Sequence, residues 1–117
     1  MTLCDLRPWL DRAQHEKFAI GAFNANTLEQ VQAIVIAAQA EQSPAVIQVS
    51  HRALQYVGSG AEMLGLEYIA AVGRVAAQSV SVPIALHLDH ATEDEYARMF
   101  ALQDRLLDQW RTERDVR

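Results

Sequence analysis

Three short apolar segments, each ending in a polar residue, limit what this 117-residue chain can fold into. They cover residues 18–24, 45–50 and 84–89, and they end in asparagine, serine and aspartate. Continuous apolar runs of this length are typical of parallel strands covered on both faces, whereas half-exposed antiparallel strands alternate in polarity. The sequence therefore predicts an α/β fold with three parallel strands.

Helical segments separate the predicted strands. After the first strand, Asn26 and Glu29 have the spacing of a capping box, and the following apolar residues recur at helical spacing until Pro44. A second helix is predicted over 63–78, and an opening helix over 6–16 precedes the first strand. Because strands and helices alternate, right-handed crossovers are expected to join the strands into a parallel sheet.

The charge distribution changes near residue 90. Residues 1–90 contain eight acidic and five basic side chains, and the much shorter segment 91–117 contains seven and five. We therefore predict that 93–117 form a charged, mostly solvated amphipathic helix that differs from the packed part before it. Its apolar stripe would consist of Tyr96, Met99, Phe100, Leu106, Leu107 and Trp110.

Composition excludes several classes of protein. Ten basic and fifteen acidic residues give a net charge of -5 without a basic patch, which argues against a nucleic-acid partner. The single cysteine, Cys4, excludes an internal disulfide and fits a reducing compartment. No apolar run approaches the ~20 residues of a membrane helix. We therefore expect a cytoplasmic chain with no membrane or nucleic-acid partner.

Polar residues follow the predicted strands at one rim of the sheet, where α/β proteins place their functional groups. Asn24, Ser50 and the pair Asp89-His90 would meet there. On a strand His87 and Asp89 share one face, and a carboxylate beside an imidazole can exchange a proton next to a metal ligand. The alternative is that Asp89 caps the next helix and that Asn24 and Ser50 are ordinary cap or turn residues.

Three motifs taken together resemble the start of class II fructose-bisphosphate aldolases and the related tagatose-bisphosphate aldolases. They are GAFN at 21–24, SPAVIQVS at 43–50 and ALHLDH at 85–90, and they occur in the family order. The resemblance implies that the chain is the N-terminal part, about three βα units, of a zinc-dependent (β/α)8 TIM barrel. It also implies reversible cleavage of a ketose 1,6-bisphosphate, fructose or tagatose, to dihydroxyacetone phosphate and glyceraldehyde 3-phosphate.

The same resemblance implies roles for individual residues. His90 is similar to a zinc ligand, and Asp89 is similar to the acid–base residue that handles the proton of the aldehyde-side hydroxyl. Asn24 and Ser50 resemble positions that contact the sugar phosphate substrate. His87 also matches the motif, but we interpret it as a buried histidine that shapes its strand. Zinc would act as a Lewis acid that polarises the ketone and stabilises an enediolate.

The chain departs from the family pattern in its length and in its metal ligands. A barrel of this kind needs eight strands and roughly 250 residues, and a catalytic zinc needs three protein ligands. No histidine follows His90, and neither His15 in the opening helix nor His51 in the predicted loop after strand two is a good substitute. We therefore predict one partial barrel domain over 1–117, family-like over 1–92 and divergent over 93–117, without a complete active site of its own.

Two other classes of function remain open from the sequence. The chain could be a non-catalytic α/β module that self-associates, since exposed sheet edges and the apolar stripe favour a homo-oligomer. It could also be a fragment of a metallo-hydrolase, because residues 85–90 are one histidine short of an H-x-H-x-D-H metal motif. Ala85 removes a ligand from that motif, which makes the hydrolase the weaker alternative.

Overall fold

The computed structural model describes residues 3–89 and, after them, Thr92, Asp94, Ala97, Arg98, Ala101 and Arg105. The elements are α1 (Arg7–Glu16), β1 (Gly21–Asn24), α2 (Leu28–Ala40), β2 (Ala45–Ser50), α3 (His51–Val57), α4 (Glu62–Gln78) and β3 (Ile84–Asp89). His90 and most of the predicted tail helix, with its apolar stripe, lie outside the described residues. Within the described part of the chain, no helix is long and apolar enough to cross a membrane.

The three strands form a parallel sheet in the order β1-β2-β3, which confirms the α/β prediction. The register places Asn24 beside Gln48 and Gln48 beside His87, and it places Ser50 beside Asp89. Because the strands are parallel, their carboxyl ends meet at one edge of the sheet. The polar strand ends predicted from the sequence therefore lie at the same rim.

The two faces of the sheet have different roles. Ile47, Val49, Ile84 and Leu88 are buried in one apolar core with residues of α2 and α4. Gly73 of α4 packs over this face, since a Cβ atom placed on it would lie 3.8 Å from Ile47 Cδ1. Side chains alternate along a strand, so the polar residues near the strand ends point to the opposite face. The helix-covered core and the polar strand ends therefore lie on opposite faces of the sheet.

β1 is shorter than the sequence predicts. The apolar run covers 18–24, but pairing with β2 begins only at Gly21, opposite Ala45. The preceding residues complete the end of α1, because Lys17 has a left-handed backbone (φ 62°) and the Phe18 N–H donates to the Ala13 carbonyl at 3.0 Å. Because residues 18–20 are apolar, the sequence extended the predicted strand over them. The observed strand contains only the residues that pair with β2.

The N-terminal residues close part of the outer edge of β3. Leu3 forms a parallel bridge with Ile84, and the Cys4 N–H donates to the Ile84 carbonyl at 2.9 Å. Partial burial raises the pKa of the Cys4 thiol, so that the sulfur stays protonated and weakly nucleophilic at neutral pH. The edge of β3 is therefore occupied at its first residue.

The capping box of α2 lies one residue later than predicted, so the assignment to Asn26 and Glu29 is wrong. Thr27 is the N-cap: its backbone is extended, and its hydroxyl accepts from the Gln30 N–H at 3.2 Å. The Gln30 side chain in turn accepts from the Asn26 N–H at 2.6 Å. Both pairs had suitable spacing, and the backbone conformation of Thr27 decided between them.

Replacing the observed cap tests this assignment. Thr27→Ala removes the side-chain acceptor at the helix start and is expected to lower the free energy of unfolding by about 1 kcal/mol. Asn26 contributes only its backbone N–H to the motif, so Asn26→Ala should change stability much less. Urea unfolding of both variants gives the comparison. A larger loss of stability for Asn26→Ala than for Thr27→Ala would instead identify Asn26 as the N-cap.

Candidate active site at the carboxyl ends of the strands

Asn24, Gln48 and Asp89 form a hydrogen-bonded network across the ends of all three strands. The Gln48 side-chain amide donates from Nε2 to Asn24 Oδ1 at 3.2 Å and to Asp89 Oδ2 at 3.2 Å. An ionised carboxylate can only accept, so the amide group that faces Asp89 has to be the NH₂ group. Gln48 on the central strand thus fixes the Asp89 carboxylate of β3 and the Asn24 amide of β1.

Gln48 was missed as a functional residue by sequence reasoning. It lies in β2 among buried apolar residues, in the sequence AVIQVS, and only its long side chain reaches diagonally to β3. A polar residue in the middle of an otherwise buried strand is the signal that could have singled it out. Asp89 is half-buried and has a further interaction besides the one with Gln48.

Ser50 lies at the same rim and caps a helix that the sequence did not predict. Its hydroxyl oxygen accepts from the Ala53 N–H at 3.2 Å, and α3 begins at the next residue. Ser50 is therefore a helix cap, as the alternative interpretation predicted. A hydroxyl that accepts one hydrogen bond keeps its own proton to donate, so the cap does not exclude contact with a ligand.

His51 connects the starts of α3 and α4 instead of standing in a loop. Its Nδ1 atom lies 2.6 Å from Glu62 Oε1, and its Nε2 atom lies 3.3 Å from Gln55 Nε2. A carboxylate at Nδ1 holds the proton on that nitrogen and fixes the orientation of the ring. The first turn of α3, directly after Ser50, is thereby tied to α4.

His87 shares the face of Asp89 and stands in register with Gln48. It is half-buried, less enclosed than the interpretation as a buried histidine implies, and it has an interaction partner. Among the residues that the structure describes, no group of three histidine, cysteine, aspartate or glutamate side chains could hold a metal ion. His90, the zinc ligand implied by the resemblance, lies outside the described residues. The described residues alone thus do not fit a complete zinc site.

Comparison with known proteins gives one consistent family. Residues 4–108 match the family model "Fructose-bisphosphate aldolase class-II". The chain is 36% identical over 95 residues to a fructose-bisphosphate aldolase of Geobacillus stearothermophilus, covering 81% of this chain and 32% of that protein. It is 37% identical over 100 residues to a 6-phospho-5-dehydro-2-deoxy-D-gluconate aldolase of Bacillus subtilis (strain 168), with 84% and 32% covered.

Solved structures agree with the sequence matches. The YdjI aldolase from Escherichia coli K12 superposes with a TM-score of 0.70 at 26% identity, over 86% of this chain and 37% of that one. Fructose-bisphosphate aldolase from Campylobacter jejuni gives a TM-score of 0.68 at 32% identity, over 76% of this chain and 27% of that one. The chain spans about a third of the length of these relatives. Since the family model matches most of the chain, the chain belongs to the class II fructose-bisphosphate aldolase family.

Proposed function

We propose that this chain contributes the first three βα units of an aldolase that cleaves a ketose 1,6-bisphosphate reversibly. The products would be dihydroxyacetone phosphate and glyceraldehyde 3-phosphate. The observation that carries the proposal is the network in which Gln48 joins Asn24 and Asp89 across the strand ends. In a barrel of parallel strands this rim is where substrates bind, and an aldol cleavage needs a group there that can take a proton.

Asp89 is the proposed acid–base residue. It would accept the proton of the hydroxyl on the aldehyde side of the bond that breaks, and return it in the reverse direction. Gln48 holds one carboxylate oxygen through its amide and so fixes the direction in which the other faces. Asn24 and Ser50 are the proposed substrate contacts, since Ser50 is in register with Asp89 and Asn24 is joined to it through Gln48. The role of Gln48 is positioning.

Zinc is the proposed cofactor, with His90 as a ligand from this chain. When bound, zinc supplies a Lewis acid that polarises the substrate ketone. Because the described residues contain no group of three suitable side chains, we propose that the remaining ligands come from outside residues 3–89. For the same reason we propose that this chain alone does not turn over substrate.

The proposed substrates are fructose 1,6-bisphosphate and tagatose 1,6-bisphosphate. Two relatives that are nearly equally identical to this chain are named for different compounds. The relative at 36% identity is named for fructose bisphosphate, and the relative at 37% is named for 6-phospho-5-dehydro-2-deoxy-D-gluconate. Both names describe phosphorylated compounds, which supports a sugar phosphate as the substrate class. Membership in an aldolase family favours this function over the metallo-hydrolase alternative.

Two proposals concern the isolated chain. We propose that it self-associates, because the outer edge of β1 has no strand beside it within the described residues, and free edges invite pairing. We also propose a cytoplasmic location, in line with its single free cysteine.

Replacing Gln48 tests the positioning role in a complete barrel. A fusion of residues 1–92 to the remaining two-thirds of the Geobacillus relative would be assayed for cleavage of both ketose bisphosphates. Gln48→Leu keeps the approximate volume but removes the amide that orients Asp89, so kcat should fall about 10–100-fold with a smaller change in KM. Gln14 is exposed on α1, far along the chain from the rim, and Gln14→Leu is the matched control.

The two kinetic constants separate the possible results. A fall in kcat for Gln48→Leu, with Gln14→Leu unchanged, supports the network as part of the active site. If kcat is unchanged and only thermal stability falls, Gln48 has a structural role alone. A fusion that folds, binds zinc and cleaves neither substrate would contradict the proposed function itself.

A further inference from the structure

Ser50 and the first turn of α3 form one structural unit. The Ser50 hydroxyl oxygen accepts from the Ala53 N–H at 3.2 Å, and α3 begins at the next residue, His51. The first N–H groups of a helix have no partner within the helix, so this bond ties the serine side chain to the start of α3. Any shift of that turn therefore moves the hydroxyl group that is proposed to contact the substrate.

Backbone contacts fix the end of α3 against α4. A Cβ atom on Gly65 would lie 1.9 Å from the Leu54 carbonyl oxygen, so the two helices approach each other closely there. In the connecting turn, the Gly58 N–H donates to the Leu54 carbonyl at 2.9 Å, and the Ala61 N–H donates to the Gly58 carbonyl at 3.0 Å. The second half of α3 is thus held by main-chain atoms.

A cavity lies beneath α3 on the side that faces α4 and β3. Its volume is about 70 Å³, and its lining consists of Leu54, Glu62, Met63, Leu66, Leu88 and Arg98. Side chains that border a void lose packing contacts on that side, so packing there resists a small shift of the helix only weakly. The start of α3 therefore depends on a specific contact for its position.

The pair of His51 and Glu62 supplies such a contact. His51 Nδ1 lies 2.6 Å from Glu62 Oε1, which joins the first residue of α3 to the first residue of α4. The side chains are 39% and 31% exposed, and this partial shielding from water strengthens the contact relative to a fully exposed ion pair. His51 Nε2 lies 3.3 Å from Gln55 Nε2, so both ring nitrogens have a neighbour that orients the imidazole.

We propose that Glu62 is a positioning residue for substrate binding, and that it acts through His51 on the hydroxyl group of Ser50. Glu62 would have this effect without touching the substrate. The inference rests on the proposed function, because it takes Ser50 as a substrate contact. It assigns Glu62 an effect on KM, whereas Gln48 acts on kcat through Asp89.

Glu62→Gln tests the pair in the fusion of residues 1–92 with the remainder of the Geobacillus relative. We expect KM for the ketose bisphosphate to rise about 10-fold, with kcat changed less than about threefold. The sign is informative, because removing a carboxylate near a phosphorylated substrate would by itself strengthen binding. Glu29→Gln is the matched control: Glu29 is an exposed acidic residue in the first turn of α2, so this variant loses the same charge at a similar helix position. Its KM should stay within about twofold.

A Ser50→Ala background shows whether the effect passes through Ser50. Without the hydroxyl group no contact is left to misplace, so Glu62→Gln should then change KM less than about twofold. A general loss of stability would reduce the amount of folded enzyme and hence the apparent kcat, but it would not raise KM. The proposal is overturned if Glu62→Gln leaves KM unchanged, or if it raises KM equally with and without Ser50.

Amide hydrogen exchange at Ala53 in the 117-residue chain measures the first step without any catalysis. Glu62→Gln should speed this exchange at least about threefold, Ser50→Ala sets the upper limit, and Glu29→Gln should leave it unchanged. Exchange at Ala53 that does not respond to Glu62→Gln overturns the positioning through His51. A fusion that cleaves neither ketose bisphosphate contradicts instead the proposed function, and with it the role of Ser50 as a substrate contact, even where the exchange responds as expected.

Discussion

Asp89→Ala is expected to lower kcat by ~10²–10⁴ in a complete barrel that carries residues 1–92 of this chain. The reason is that the proposed proton acceptor disappears, while Asn24 and Ser50, the proposed substrate contacts, remain. KM should therefore change much less than kcat. The measurement is steady-state cleavage of fructose 1,6-bisphosphate and tagatose 1,6-bisphosphate by the fusion with the Geobacillus relative.

Asp89→Asn separates proton transfer from structure. The asparagine Oδ1 can still accept from Gln48 Nε2, so the network across the strand ends can persist, but the side chain no longer accepts a proton at neutral pH. We expect a loss of kcat close to that of Asp89→Ala. Asp5→Ala is the control, since Asp5 is exposed and pairs with Arg7 near the N-terminus. If Asp89→Asn kept near-normal kcat, Asp89 would have a structural role and no part in the chemistry.

Gly65→Ala is expected to lower the free energy of unfolding by about 3 kcal/mol, the largest loss of stability that we predict for a single methyl group. A Cβ atom on Gly65 would lie 1.9 Å from the Leu54 carbonyl oxygen and 2.7 Å from the Leu54 carbonyl carbon. These are backbone atoms of α3, which cannot rotate away as a side chain can. The methyl group would force α3 away from α4. Chemical denaturation of the 117-residue chain measures the change.

Gly73→Ala is the matched control on the same helix. A Cβ atom on Gly73 would meet only Ile47 Cδ1, at 3.8 Å, which is an ordinary contact distance. Alanine also favours a helix over glycine by roughly 1 kcal/mol, so Gly73→Ala should leave stability unchanged or raise it. Equal losses for the two variants would contradict a backbone contact between α3 and α4. A loss for Gly65→Ala alone would locate the close approach at Leu54.

The sequence was sufficient for the elements whose signal is local. Apolar runs bounded by polar residues predicted β2 and β3 with the bounds that the structure has, 45–50 and 84–89. The three motifs also predicted the family correctly, because each occupies a short stretch of chain and needs no knowledge of contacts. The assignment of Asn24, Ser50 and Asp89 to one rim followed from parallel strands alone, since that topology fixes which ends meet.

The tertiary structure decided what depends on long-range contacts. Gln48 joins Asn24 to Asp89, which is 41 positions away, so no local pattern could show that these side chains meet. α3 begins directly after β2 because Ser50 caps it and His51 binds Glu62 of α4, where the sequence predicted a loop. The glycine contact between α3 and α4 likewise depends on two backbones that approach only in the fold. Apolar periodicity reports which residues are buried, but which polar groups then face each other is set by strand register and helix packing.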